Sequence, residues 1–124
     1  MLAFAMTTSS LQLPPDLLSA ICYVQTKHVV SSIHKNDGGS DSLGICQVKL
    51  TTAKDLGFKG TAYELQHNNN VNIHYAGKYL QKQLRKYAEI NKSISAFNAG
   101  HYTPKNYKYV NKVNNAWGVT YARH

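Results

Sequence analysis

PPDLLSAICYVQTKHV, residues 14–29, is the stretch that decides the fold class. Two prolines open it, where a missing N–H costs no intrahelical hydrogen bond. Asp16 falls in the predicted first turn, where a negative charge suits the helix dipole. Leu18, Ile21, Cys22, Gln25 and Val29 then recur at the spacing of one helical face. The spacing predicts a helix over 14–29 with Gln25 projecting from an apolar stripe. A side-chain amide there costs free energy unless its donors and acceptor are paired. Taken alone, a satisfied core glutamine is the simplest account of it, so the rest of the chain has to decide.

Working outward, the 124 residues are 43% hydrophobic and 16% charged, enough for one domain with its own core. Fourteen Lys and Arg against six Asp and Glu leave a net charge of +8. That surplus favours a polyanionic partner, whether nucleic acid, an acidic membrane face or an acidic wall polymer. No base-reading motif accompanies the lysines and nine tyrosines, so nucleic acid is not the expected partner. No run is long and apolar enough for a membrane span. The opening MLAFAM and TTSS carry no basic n-region; residues 1–13 read as a stub outside the fold, a signal remnant or added residues, and hint at export. Residues 14–124 then form the domain. Cys22 and Cys46 match no metal or redox spacing; buried free thiols are the simpler reading and a single disulfide the alternative. Five of the six histidines (His28, His34, His67, His74 and His101) show no ligand spacing, and no metal and no cofactor are expected.

Beyond the first helix, SSIHKNDGGSDSL (31–43) is a loop rich in turn formers, and Gly44 to Leu50 reads as a short strand. Thr51 or Thr52 caps a brief helix that Gly57 stops. Thr61 and Glu64 have capping-box spacing, and the Asn68–Asn70 run offers an N-cap ahead of a long helix. Ile73, Ala76, Leu80, Leu84 and Tyr87 line its inner face; Lys78, Lys82 and Lys86 read as a solvated outer face. Asn91 is the expected cap of the next helix, with Ile94, Ala96 and Phe97 inward and Gly100 closing it. A last helix follows the Pro104 loop, with Tyr109, Val110 and Val113 inward and Trp117 near its end. The expected class is α+β, mainly helical, with a small β excursion between the first two helices.

Four blocks in order carry a family resemblance: Val24-Gln25-Thr26; Gly44-Ile45-Cys46-Gln47 with Thr51-Thr52-Ala53; Ala96-Phe97-Asn98-Ala99-Gly100; and Tyr109-Val110. Together they resemble the lytic transglycosylase domain of the soluble type, whose lysozyme-like fold is shared with goose-type lysozymes. The likeness runs from about Pro14 to Trp117 and includes Asn72-Ile73 through Tyr79-Leu80. It implies a monomeric, exported enzyme, periplasmic or extracellular, acting on peptidoglycan strands between N-acetylmuramic acid and N-acetylglucosamine. It puts Gln25 at the catalytic glutamate position and makes Thr26, Gly44, Gln47, Phe97, Asn98 and Tyr109 substrate-site residues. Thr26 replaces a serine. Phe97 replaces a tyrosine and lacks its hydroxyl, and Cys46 replaces a methionine.

Gln25 is the decisive departure. Cleavage of a glycosidic bond needs a proton donor whose pKa is raised by an apolar setting. In the transglycosylase mechanism the same group then deprotonates the muramyl 6-hydroxyl and closes a 1,6-anhydro ring. An amide does neither, though it keeps the shape of glutamate. The surrounding blocks still read as a working site, so the expectation is an engineered Glu-to-Gln change and an inactive form, with a natural pseudoenzyme or wall-binding module as the alternative. A goose-type hydrolase would want a second carboxylate, for which Asp37 and Asp41 are the candidates, although turn formation in DGGSDS explains both more simply. Lys49 stands where those lysozymes carry another aspartate.

Overall fold

Fully buried Leu17, Leu18, Ile21 and Cys22 make the second helix the axis of the core. A computed structural model describes residues 2–35 and 41–122. Its order is α1 (Leu2–Ser10), α2 (Leu17–Thr26), β1 (Ile33–His34), β2 (Ser42–Leu43), β3 (Val48–Lys49), α3 (Leu50–Asp55), α4 (Ala62–His67), α5 (Asn69–Tyr87), α6 (Ile90–Ala99), a 3-10 turn (Pro104–Asn106) and α7 (Tyr107–Ala122). The three short strands form an antiparallel sheet in the order β1-β2-β3. This is a mainly helical α+β domain of the lysozyme-like kind, with its β excursion between α2 and α3. Helix α7 lies along α2, and α5 packs between α1 and α6.

The helix expected over 14–29 is shorter at both ends. Asp16 occupies the N-cap position with a left-handed backbone rather than the first turn. At the other end Lys27 and His28 both have positive φ, 54° and 61°, which breaks the hydrogen-bond ladder after Thr26. The break is held by tertiary contacts: His28 Nε2 donates to Ser19 O at 2.9 Å, and its ring meets Phe4 at 5.0 Å. Val29 therefore lies outside the helix, more than half exposed.

Residues 2–13 do not stand outside the fold. Phe4 and Leu13 are buried in the core and Thr7 packs onto α5. Gly77 permits that approach, since a Cβ there would lie 2.5 Å from Thr7 Cγ2. Within the apolar opening Phe4 is the side chain that enters the core, while Leu2 and Met6 stay exposed.

Other boundaries moved for local reasons. Gly44 to Gln47 is a turn joining β2 to β3, not part of a strand. Lys49 takes the N-cap of α3, with Thr51 and Thr52 inside the helix. Glu89 caps α6 by accepting from Asn91 N at 3.0 Å, displacing Asn91 from that role. Thr61 accepts from Glu64 N, and Asn68 from Val71 N, as their cap spacing predicts. On α5 Ile73, Ala76 and Leu80 are fully buried. Lys82 and Lys86 are exposed, but Lys78 folds back to donate to Leu56 O at 2.9 Å.

Candidate active site

One turn beyond Cys22 on the buried face of α2, Gln25 is half-buried and opens onto a cleft of about 470 Å³. Gln47 at the end of the 44–47 turn, the C-terminal turn of α6 with Phe97 and Asn98, Tyr79 from α5 and the sheet residues His34, Ser42 and Lys49 all line it. Helix, turn and α6 thus bring Gln25, Gln47, Phe97 and Asn98 to one cavity from positions up to 73 residues apart (98 minus 25).

The turn is tied to α2 and α5 by buried bonds. Gly44 has φ +80°, and a Cβ on it would lie 2.3 Å from Asn72 Nδ2. Asn72 is fully buried on α5. Its amide donates to Leu43 O and Leu65 O, both at 2.8 Å, and accepts from Cys46 N at 2.9 Å. Three bonds to one buried amide satisfy most of what it can make, so Asn72 fixes both arms of the turn. Gln47, itself at φ 56°, donates Nε2 to Gly44 O at 3.0 Å, which sets the plane of its amide. From the α2 side, Thr26 Oγ1 reaches Ile45 O at 2.7 Å. Thr26 and Gly44, expected at the substrate, support the turn and are not among the residues that line the cleft.

Cys22 and Cys46 are joined in a disulfide with Cα atoms 4.4 Å apart, which overturns the free-thiol reading. One cysteine lies on the core face of α2 and the other in the turn that packs on it. Both are fully buried. Sequence spacing cannot reveal such a pairing, because it depends on which elements meet.

Phe97 is buried against Tyr79, ring centroids 5.2 Å apart. The hydroxyl that Phe97 lacks has a neighbour in kind: Tyr79 lines the same cleft, and burial raises its pKa, keeping the phenol protonated. Nothing in the sequence marked Tyr79 beyond its place in the α5 resemblance. Asn98 is exposed, its side-chain oxygen accepting from Asn106 Nδ2 at 3.1 Å. Asn106 is anchored in turn on Ser95, donating Nδ2 to Ser95 O at 3.0 Å. Tyr109 does not line the cleft. Its hydroxyl is buried on α7 without a hydrogen-bond partner, and burial pushes its pKa well above the ordinary phenol value.

Among the described residues that line the cleft none carries a carboxylate. Asp41 pairs with Lys35 at 3.3 Å outside the lining, and Asp37 lies outside the described residues. Also among the described residues, no three His, Cys, Asp or Glu side chains gather as a metal would require, and no helix is long and apolar enough to cross a membrane.

Comparison with known proteins adds a family. Residues 3–118 match the family model described as the Transglycosylase SLT domain. Protein IpgF of Shigella flexneri is 30% identical over 89 residues, which is 71% of this chain and 59% of that protein. The chain thus spans under two thirds of that relative's length.

Proposed function

The chain belongs to the transglycosylase SLT domain family, and from that premise we propose that its cleft binds peptidoglycan strands, with position 25 as the seat of the general acid and base. The observation that carries this reading is the setting of Gln25. An isostere of glutamate rises from a fully buried apolar stripe and shares a cleft with two further amides, Gln47 and Asn98. With glutamate there, the apolar stripe would hold the carboxyl protonated until it meets the glycosidic oxygen. It would donate that proton as the β-1,4 bond between N-acetylmuramic acid and N-acetylglucosamine breaks. The resulting carboxylate would then take the proton of the muramyl 6-hydroxyl, whose oxygen closes on C1 to give a 1,6-anhydro end without water.

With glutamine the donor is missing, so this form binds and does not cleave. Transglycosylation is preferred on the family match, whereas hydrolysis would need a second carboxylate, for which Asp37 and Asp41 are the candidates. Export accords with a substrate outside the cytoplasm and with a buried Cys22–Cys46 disulfide, a bond that persists in oxidising compartments. A second reading, a non-catalytic wall-binding module, has the amide at position 25 on its side. Turbidity of a sacculus suspension separates the two. Gln25→Glu should clear it while the present chain only sediments with it; a Gln25→Glu protein that sediments without clearing would favour the binding module.

A further inference from the structure

One wall of the cleft is a single row across the sheet. His34 pairs with Ser42, and Ser42 with Lys49, in antiparallel register. Residues paired this way project from the same face, and all three line the cleft. Lys49 brings the row a fixed positive charge, with a hydroxyl and an imidazole beside it as hydrogen-bonding groups. No described lining residue opposes it with a carboxylate, and Asp41 next to Ser42 has Lys35 at 3.3 Å.

A neutral glycan gives no reason for that charge. Sugar hydroxyls and acetamides are served by amides such as those of Gln47 and Asn98, whereas an ammonium group beside a hydroxyl suits a carboxylate. We propose that the His34–Ser42–Lys49 row is a carboxylate subsite that takes the acidic stem peptide carried by the glycan. It makes the protein selective for strands whose peptides keep their free acids. The inference rests on reading the cleft as a peptidoglycan site.

Because Gln25 leaves the ligand intact, the chain as it stands can be titrated calorimetrically. The probes are a disaccharide-tetrapeptide with free carboxylates, the same compound with those carboxylates amidated, and neutral chitotetraose. The free acid should bind about three- to tenfold more tightly than its amide, the range of one partly exposed charge-assisted contact. Lys49→Gln should abolish that preference and Lys49→Arg should keep most of it. Lys82→Gln removes the same charge from the exposed face of α5 and should leave the preference intact. The Lys49 side chain makes no hydrogen bond in capping α3, so these variants keep the local fold, which a far-UV spectrum checks. Equal binding of acid and amide, or a preference that survives Lys49→Gln, overturns the subsite and leaves the glycan cleft standing. Failure of all three probes to bind overturns the reading of the cleft itself.

Discussion

At position 109 a buried hydroxyl without a partner is held against its own interest. Leaving such a group unpaired costs about 1–3 kcal/mol, so Tyr109→Phe should raise the free energy of unfolding by about 1 kcal/mol in a denaturant titration. A fall of similar size would mean that the hydroxyl is bonded in solution. The same burial sets a pH dependence. With its native pKa raised, Tyr109 loses its proton first in the unfolded chain. Its contribution is therefore fully present below about pH 10 and is lost as pH climbs beyond that. Denaturation midpoints between about pH 8 and pH 11 should fall less steeply in Tyr109→Phe, with Tyr79 accounting for part of what remains. Residue chemistry was the most legible level in the sequence. Gln25, Gln47, Phe97 and Asn98 were named from ordered blocks and share one cleft. Tyr79 and His34 escaped because their place in the lining depends on how α5 and the sheet pack, and no local pattern records that.

Helices were legible wherever apolar periodicity was long, as in α5, and where caps had short polar side chains, as at Thr61 and Asn68. The turn at 44–47 was not, because its conformation is imposed from outside by Asn72 and the disulfide rather than by the weak alternation of GICQVKL. Asn72→Ala would strand the Leu43 and Leu65 carbonyls and the Cys46 N–H in a buried site. It should lower stability by about 3 kcal/mol or more, at about 1–3 kcal/mol for each of the three unsatisfied groups, and weaken glycan binding through Gln47. Unchanged binding in a folded Asn72→Ala protein would separate the turn from the site. Helix α1 was not legible because a short apolar run at a terminus resembles a signal remnant until its partner is known. Gly77→Ala tests that partnership: a Cβ 2.5 Å from Thr7 Cγ2 forces α1 and α5 apart. The thermal midpoint should fall although alanine is the better helix former, whereas a rise would mean that α1 is loosely held.

For the molecule as a whole, the proposed reading assigns the net charge of +8 to capture more than to chemistry. Such charge acts on association and is screened by salt. Raising ionic strength should therefore weaken sedimentation with whole sacculi more than binding of short uncharged chito-oligosaccharides, and equal sensitivity would contradict the assignment. On the proposed reading chemistry is concentrated at position 25, where general acid catalysis contributes about 10²–10⁴-fold in typical cases. The most direct test is mass spectrometry of the muropeptides released from purified peptidoglycan by the Gln25→Glu protein beside the chain as it stands. We predict abundant fragments with 1,6-anhydromuramyl ends from Gln25→Glu and almost none from the glutamine form. Reducing muramyl ends in their place would mean hydrolysis with water, and no fragments from either protein would contradict position 25 as the catalytic centre.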